Sequence, residues 1–350
     1  AFGVAEDQAR SGADMLTAFI AGMECGIRIG AAVKGGFHHV GFHATGVISH
    51  FSAALVAGKL MGLDPDALVS AQGIAASTAG GVQVFLEEGA WTKRLHPGWG
   101  TVAGITAATL AGNGFFGPSR AYEGRFGFFE THLQAHAGDV DMERLTRGLG
   151  SEWDLPDTSI KPYPICHFIH GAAEAAIRLH RDLAPAAGSL KQIRARVPKD
   201  TLPIVAEPVA VKTEPANDYD AKFSTQYVVA TGLLKGRVGL AELTEEARSD
   251  AAVRELTRRV VVEADPESGF PKYMSGGVTL TTADGRTHEV HVPVNYGSGD
   301  RALDLGGISE KFMASATLVH PTAKAERIRD AILALESITA TELGEALRKS

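Results

Sequence analysis

Three short stretches of this chain hold the residue types that do chemistry. The run WTKRLHPGW sets Lys93, Arg94 and His96 within four residues, between Trp91 and Trp99. Two fixed cations beside a titratable imidazole suit a bound carboxylate or phosphate. The plainer explanation is a solvated loop anchored by a tryptophan. A second stretch, KPYPICHFIH, holds Lys161 in a proline-stiffened turn, where a restricted backbone can fix the lysine in place. A simple hinge accounts for the same residues. The third, GGFHHVGFHATG, carries His38, His39 and His43. His39 and His43 have the i,i+4 spacing that metal ligation uses on a helix. The glycines around them argue for a loop, and no HExxH or carboxylate triad accompanies them.

Two further patterns carry less. Cys166 beside His167 and His170 has the composition of an imidazole-activated thiol. Nothing marks an oxyanion hole, and a buried structural cysteine is the more common case. GNGFFG, with Gly112, Gly114 and Gly117, has the spacing of a dinucleotide fingerprint. That fingerprint works only between a strand and a helix. Here a helical run precedes it and Pro118 follows, so a helix end and turn is expected and no nicotinamide site.

The elements that must position these residues divide in two. Residues 1–155 read as helical, and Ser11 with Asp14 resembles a capping box for a helix to about residue 33. A helix over 45–61 ends at Gly62, and Asp64-Pro65 opens a third. A loop then holds WTKRLHPGW before a helix over 101–111. These helices are rich in Ala, Gly, Ser and Thr, which lets helix axes approach closely. From about residue 156 helices and strands mix: helix over 172–183, strands over 192–197 and 209–212, helix over 223–234, and a hairpin around Asp284-Gly285. Residues 306–350 read as helices returning to the first part. The fold class is mostly α with an α+β part, the latter spanning 156–305.

The chain has 350 residues, a formal net charge of −7, 40 glycines and two cysteines, Cys25 and Cys166. The length suits two or three domains. The acidity argues against broad nucleic-acid affinity, which needs clustered Lys and Arg. No membrane partner is expected, because no run of about 18 apolar residues lacks charges or breakers. Two cysteines make no disulfide framework, so a reducing, cytoplasmic setting is expected.

Taken in order, GFHATG, GIAASTAGG, FLEEGAWTKRLHPGW, AGITAATLAGNGFFGP, EGRFGFF, KPYPICHFIH, KFSTQYVVATGLLKG and ADGRTHEVHVP resemble the MmgE/PrpD family. The resemblance implies an all-helical domain plus a smaller α+β lid domain, a homodimer, and a pocket between the domains for di- or tricarboxylates. It also implies catalysis without an iron–sulfur cluster or other cofactor. Family activities include 2-methylcitrate dehydratase, cis-aconitate decarboxylase and iminodisuccinate epimerase. Carried over by position, His43 in GFHATG matches the active-site histidine. Lys93 and Lys161 match two pocket lysines, and Tyr227 in FSTQY matches a pocket tyrosine. Arg94, His96 and Cys166 join them as substrate contacts. Cis-aconitate decarboxylases carry a second histidine five residues after the second lysine, where this chain has Cys166. Family chains also begin with about a hundred further residues, which contribute to the pocket.

The expected chemistry is proton removal from carbon next to a carboxylate. Lys93 and Lys161 would receive the developing charge, His43 would act as base or acid, and Tyr227 would assist a leaving hydroxyl. A hydro-lyase acting on a 2-methylcitrate-like acid is the first expectation. Epimerisation or decarboxylation of a related acid uses the same groups. A non-catalytic carboxylate-binding homologue is the alternative of another class.

Overall fold

A computed structural model of the chain describes residues 1–88 and 90–348. Two compact units emerge, Ala1–Pro156 with Ala316–Ser350, and Asp157–Ser315.

The first unit is helical. Ser11 Oγ accepts from the Asp14 amide at 3.0 Å and donates to the Asp14 carboxylate, which starts the helix Gly12–Ala32. The helix Ala44–Met61 stops at Gly62 in the left-handed region. Asp64 caps Pro65–Ala76 through the Ala67 amide at 2.9 Å. The helices Ala44–Met61 and Thr92–Gly112 touch backbone to backbone. A Cβ at Gly104 would lie 2.6 Å from the Ala54 nitrogen, so only glycine permits this crossing. Phe37, Phe51, Phe128 and Leu133 fill the centre, with the Phe51 and Phe128 rings edge to face at 4.6 Å. The C-terminal helices Thr322–Leu333 and Ala340–Arg348 close on the N-terminus: the Gly12 amide donates to Ile338 O at 2.8 Å, and Arg348 pairs with Glu6.

Gly12–Ala32 and Ala44–Met61 are long and apolar enough to cross a membrane by length and composition, contrary to the expectation above. Their settings within this unit are those of core helices. Ala44–Met61 packs against four other helices. Gly12–Ala32 carries a buried ion pair, Glu24 with Arg28 at 2.7 Å. That pair also organises loop backbone: Glu24 accepts from the Asp154 and Leu155 amides, while Arg28 donates to Arg147 O and Glu152 O.

The second unit is built on a four-stranded sheet, ordered β2-β1-β3-β4. Its strands are β1 (Leu190–Val197), β2 (Val260–Ala264), β3 (Gly276–Thr282) and β4 (Thr287–Val292). β1 runs parallel to β2 and antiparallel to β3. The β3–β4 hairpin turns at Gly285 (φ 87°). Ile193, Ala195 and Val197 face inward with Val278 and Leu280, against the helices His170–Leu183 and Thr225–Lys235.

Five further readings of the sequence need correction. The stretch around His38 and His39, read as a loop, is the short helix Gly36–Val40. WTKRLHPGW is not a loop: its residues 92–99 open the helix Thr92–Gly112, and Pro97 lies inside it. Pro97 gives up the bond to the carbonyl four residues back and crowds it, and the packing of this helix on Ala44–Met61 offsets that cost. Residues 209–212 are helical, within Val209–Thr213, because a four-residue apolar run does not distinguish strand from helix. β2 escaped notice, since only Val260 of its five residues is fully buried and no alternation shows. The helix Leu305–Ala316 belongs mainly to the second unit, where Gly307 lies against Leu303 and Tyr296. The chain therefore rejoins the first unit at 316, not 306.

Candidate functional site

In the first unit the expected residues gather around His43. This residue sits just before the helix Ala44–Met61, and its amide donates to Gly81 O at 2.8 Å. A bridge between Phe42 and Val82 fixes the same crossing. His96 arrives from the second turn of Thr92–Gly112. Its Nδ1 lies 3.0 Å from His43 Nδ1, so one ring donates there and the other accepts. Two glycines make this approach possible. A Cβ at Gly46 would sit 2.9 Å from His96 Cβ, and one at Gly81 (φ 128°) would sit 3.1 Å from its Nδ1. The Phe85 ring closes the group, edge-on to both imidazoles, with Lys93 Nζ 5.7 Å from its centroid.

The electrostatics of this cluster are one-sided. Burial, then Lys93, His96 and His38, lower the His43 pKa to about 4. Burial, Lys93 and His39 lower that of His38, and burial lowers that of His96. Among the described residues, the charged or titratable groups acting on His43 are thus themselves basic. Lys93 and Arg94 also occupy the second and third positions of their helix, with no acidic residue in its first turn. The helix dipole is positive at that end and disfavours cations there. Arg94 is exposed and lies over the Trp91 ring, 5.4 Å from its centroid. His39 turns away to stack near His136, so the His39/His43 spacing does not bring that pair together.

The second unit has its own cluster. Lys161 Nζ donates to Ile165 O at 3.3 Å, and the Cys166 amide donates to Lys222 O. His167 accepts at Nε2 from Asn295 Nδ2 at 3.0 Å, so its proton is on Nδ1. Asn295 is held by the Met274 amide and Ser298. Burial and Lys161 lower the His167 pKa to about 4. His170 is completely buried beside it and is held neutral by burial, His167 and Lys161. Glu174 is buried too, clamped by Arg301 and Arg178.

Tyr227 is placed elsewhere in that unit. It is 2% exposed, and its hydroxyl donates to Glu242 O at 2.5 Å. The groups acting on it are Thr231, Arg248, Glu242 and Asp250, none of which acts on His167 or His170. Cys166 lies close enough to Lys212 to influence its charge.

Residues 1–139 match the MmgE/PrpD N-terminal domain, and residues 163–337 match the MmgE/PrpD C-terminal domain. The chain belongs to the MmgE/PrpD family. Among related MmgE/PrpD proteins is a cis-aconitate decarboxylase-like protein, oryM, of Aspergillus oryzae. It is 29% identical over 345 residues, which cover 96% of this chain and 71% of the relative. Human cis-aconitate decarboxylase is 28% identical, over 88% of this chain and 63% of its own. The 2-methylcitrate dehydratase of Salmonella typhimurium is 24% identical, over 86% and 63%.

Several of these positions were not chosen as site residues from the sequence. His38 was seen only as a metal candidate, and His167 only as a partner for a thiol. Phe85 and Asn295 carry no signal in the sequence, because each matters through a contact made by folding.

Proposed function

We propose that this protein is a cofactor-independent lyase acting on a small di- or tricarboxylic acid. The observation that carries the reading is the company around His43: the His96 ring lies 3.0 Å away, Nδ1 to Nδ1, and Lys93, His96 and His38 all disfavour the charged form of His43. A polyanion bound among them offsets these repulsions with attractions of its own. The positive end of the Thr92–Gly112 helix adds to the same effect.

In this reading His43 takes a proton from carbon next to a substrate carboxylate. Alone it is a weak base. Beside bound carboxylates its pKa rises toward the range in which imidazole exchanges protons at neutral pH. The Nδ1–Nδ1 contact gives it His96 as a proton partner. Lys93 stabilises the charge that builds on the carboxylate oxygens. Tyr227 is left out of the chemistry, since its hydroxyl is committed to Glu242 O.

Dehydration balances simply: the α-proton leaves to the base, its electron pair forms the double bond, and the β-hydroxyl departs as water after protonation. We assign it first, to a 2-methylcitrate-like hydroxy acid, because Cys166 replaces the second histidine of the decarboxylases. Decarboxylation of a cis-aconitate-like acid is the second reading, favoured by the 28–29% identity to decarboxylases against 24% to a dehydratase.

Incubation with 2-methylcitrate and with cis-aconitate in deuterated water, followed by proton NMR, tests this. Loss of water from the first supports dehydration, and carbon dioxide release from the second supports decarboxylation. Lys93→Ala should slow turnover by about 100-fold or more with folding intact. Wild-type turnover in that variant, or neither turnover nor binding in the unaltered protein, sinks the proposal.

A further inference from the structure

The imidazoles of the two units are wired differently. At His43 a second imidazole stands at Nδ1, so that pair can exchange a proton. His167 in the second unit meets an amide instead. Asn295 is completely buried, and its neighbours fix which way the amide faces. Its Oδ1 accepts from the Met274 amide at 3.0 Å. Its Nδ2 lies 2.9 Å from Ser298 Oγ, 3.3 Å from Tyr296 O and 3.0 Å from His167 Nε2. Turning the amide over would set Nδ2 against the Met274 N–H and Oδ1 against Tyr296 O, two pairings of like with like. Nδ2 therefore stays toward His167, and Nε2 stays an acceptor.

An imidazolium at His167 would aim an Nε2–H at that donor. Burial and Lys161 disfavour the same charged form. His170 offers no relay for a proton: its ring stands edge-on to His167 at 4.9 Å, and neither of its nitrogens has a hydrogen-bond partner. Tyr163 lies against that ring, Lys311 acts on it, and Glu174 is held by Arg301 and Arg178. The Nδ1–H is the other end of the locked ring. Among the described residues it makes no hydrogen bond, and it is not sealed from solvent, since His167 is only half-buried. A neutral donor beside a lysine suits a carboxylate whose charge grows as a reaction proceeds.

We propose that His167 is a neutral hydrogen-bond donor, through Nδ1–H, to a carboxylate oxygen of the ligand, and that Asn295 is the positioning residue that keeps it from acting as a base. The inference rests on the proposed reading of that ligand as a polycarboxylic acid. It divides the chemistry: proton exchange belongs to His43 with His96, whereas His167 stabilises charge without changing its own protonation.

The first test needs no turnover. Nitrogen-15 NMR of histidine-labelled protein, with the His167 signals assigned by His167→Asn, should show Nε2 bare and Nδ1 protonated in the free protein, unchanged between pH 6 and pH 8. Tricarballylate, an unreactive tricarboxylate, should shift the Nδ1 signal saturably, and chloride at matched ionic strength should not. Asn295→Asp, of the same size, offers Nε2 an acceptor, so the ring should then take a proton there and titrate between pH 6 and pH 8. The second test is kinetic. His167→Ala should lower kcat/KM by about 100-fold. His167→Asn, which keeps an N–H at the Nδ1 position, should recover about 10-fold of that loss with the pH profile unchanged, which a lost base would not allow. A free ring protonated at Nε2, an Nδ1 signal indifferent to tricarballylate, a ring unmoved by Asn295→Asp, or His167→Asn no better than His167→Ala overturns the proposal. Absence of turnover in the unaltered protein counts against the lyase reading, and the NMR outcomes then decide this proposal by themselves.

Discussion

Binding of a polycarboxylate at the His43 cluster should draw protons from solution. Alone, burial together with Lys93, His96 and His38 holds His43 at about 4 rather than its ordinary 6.5. At pH 6 only about 1% of it is then protonated. If bound carboxylates do no more than restore 6.5, about three quarters of it is protonated at the same pH, so each binding event takes up about 0.75 proton. The pKa is higher in the complex, so the added affinity is present at low pH and fades as pH rises through 6.5. The ratio works out at about 30-fold tighter binding at pH 5 than at pH 8. Calorimetry in buffers of different ionisation enthalpy measures the uptake directly. The ligand's own protonation is removed by comparison with His43→Asn, and the difference between the two proteins is the quantity predicted. Equal uptake and equal pH dependence in wild type and His43→Asn would refute the reasoning.

Other perturbations probe how the cluster and its unit are held. Gly46→Ala puts a methyl group 2.9 Å from His96 Cβ; it should cost about 1–3 kcal/mol of stability and move the NMR titration of the His43 ring as the two imidazoles separate. An unchanged titration with unchanged turnover would show that the pair is dispensable. Glu24→Ala strands the buried Arg28 guanidinium, for a loss of about 3–5 kcal/mol and a fall in melting temperature of about 6–20 °C for a unit of this size. Replacing Glu24 and Arg28 together by Met removes the stranded charge but still leaves the Asp154 and Leu155 amides and the Arg147 and Glu152 carbonyls without these partners, so it should recover only part of that loss in the same calorimetric scan, and a double variant less stable than the single one would argue against the stranded charge as a cause.

Much of the fold could be read because local signals and burial agree. Ser11, Asp64 and Gly62 each mark a helix end by a bond or dihedral that the structure contains. The Asp284-Gly285 turn sits between two strands whose alternation is visible in the residues. The readings that failed did so where two tendencies compete. Pro97 reads as a breaker, but a proline near the start of a 21-residue helix removes one bond from a structure held by its packing on Ala44–Met61. Val209 and Val211 favour strands by type, but both are largely exposed and have no sheet neighbour to reward them.

The candidate site was legible as residue types but not as an electrostatic unit. Lys93, Arg94 and His96 were adjacent in sequence, whereas His43 lies 53 positions from His96 and meets it only because Gly46 and Gly81 leave room. The same glycines that suggested close helix packing therefore serve the site as well. Tyr227 shows the opposite case. Its sequence context matched a family pattern, yet the side chain is directed by Ser224, which caps its helix and fixes the register, and its hydroxyl ends on Glu242 O. A motif records which residues are present; which way a ring points follows from the helix register and the partner its polar atom finds. At His43 that partner is a second imidazole 3.0 Å away, and Lys93 and His38 act on the same ring. In the proposed reading a bound carboxylate meets these groups together, and this is the physical ground for looking to carboxylic acids first.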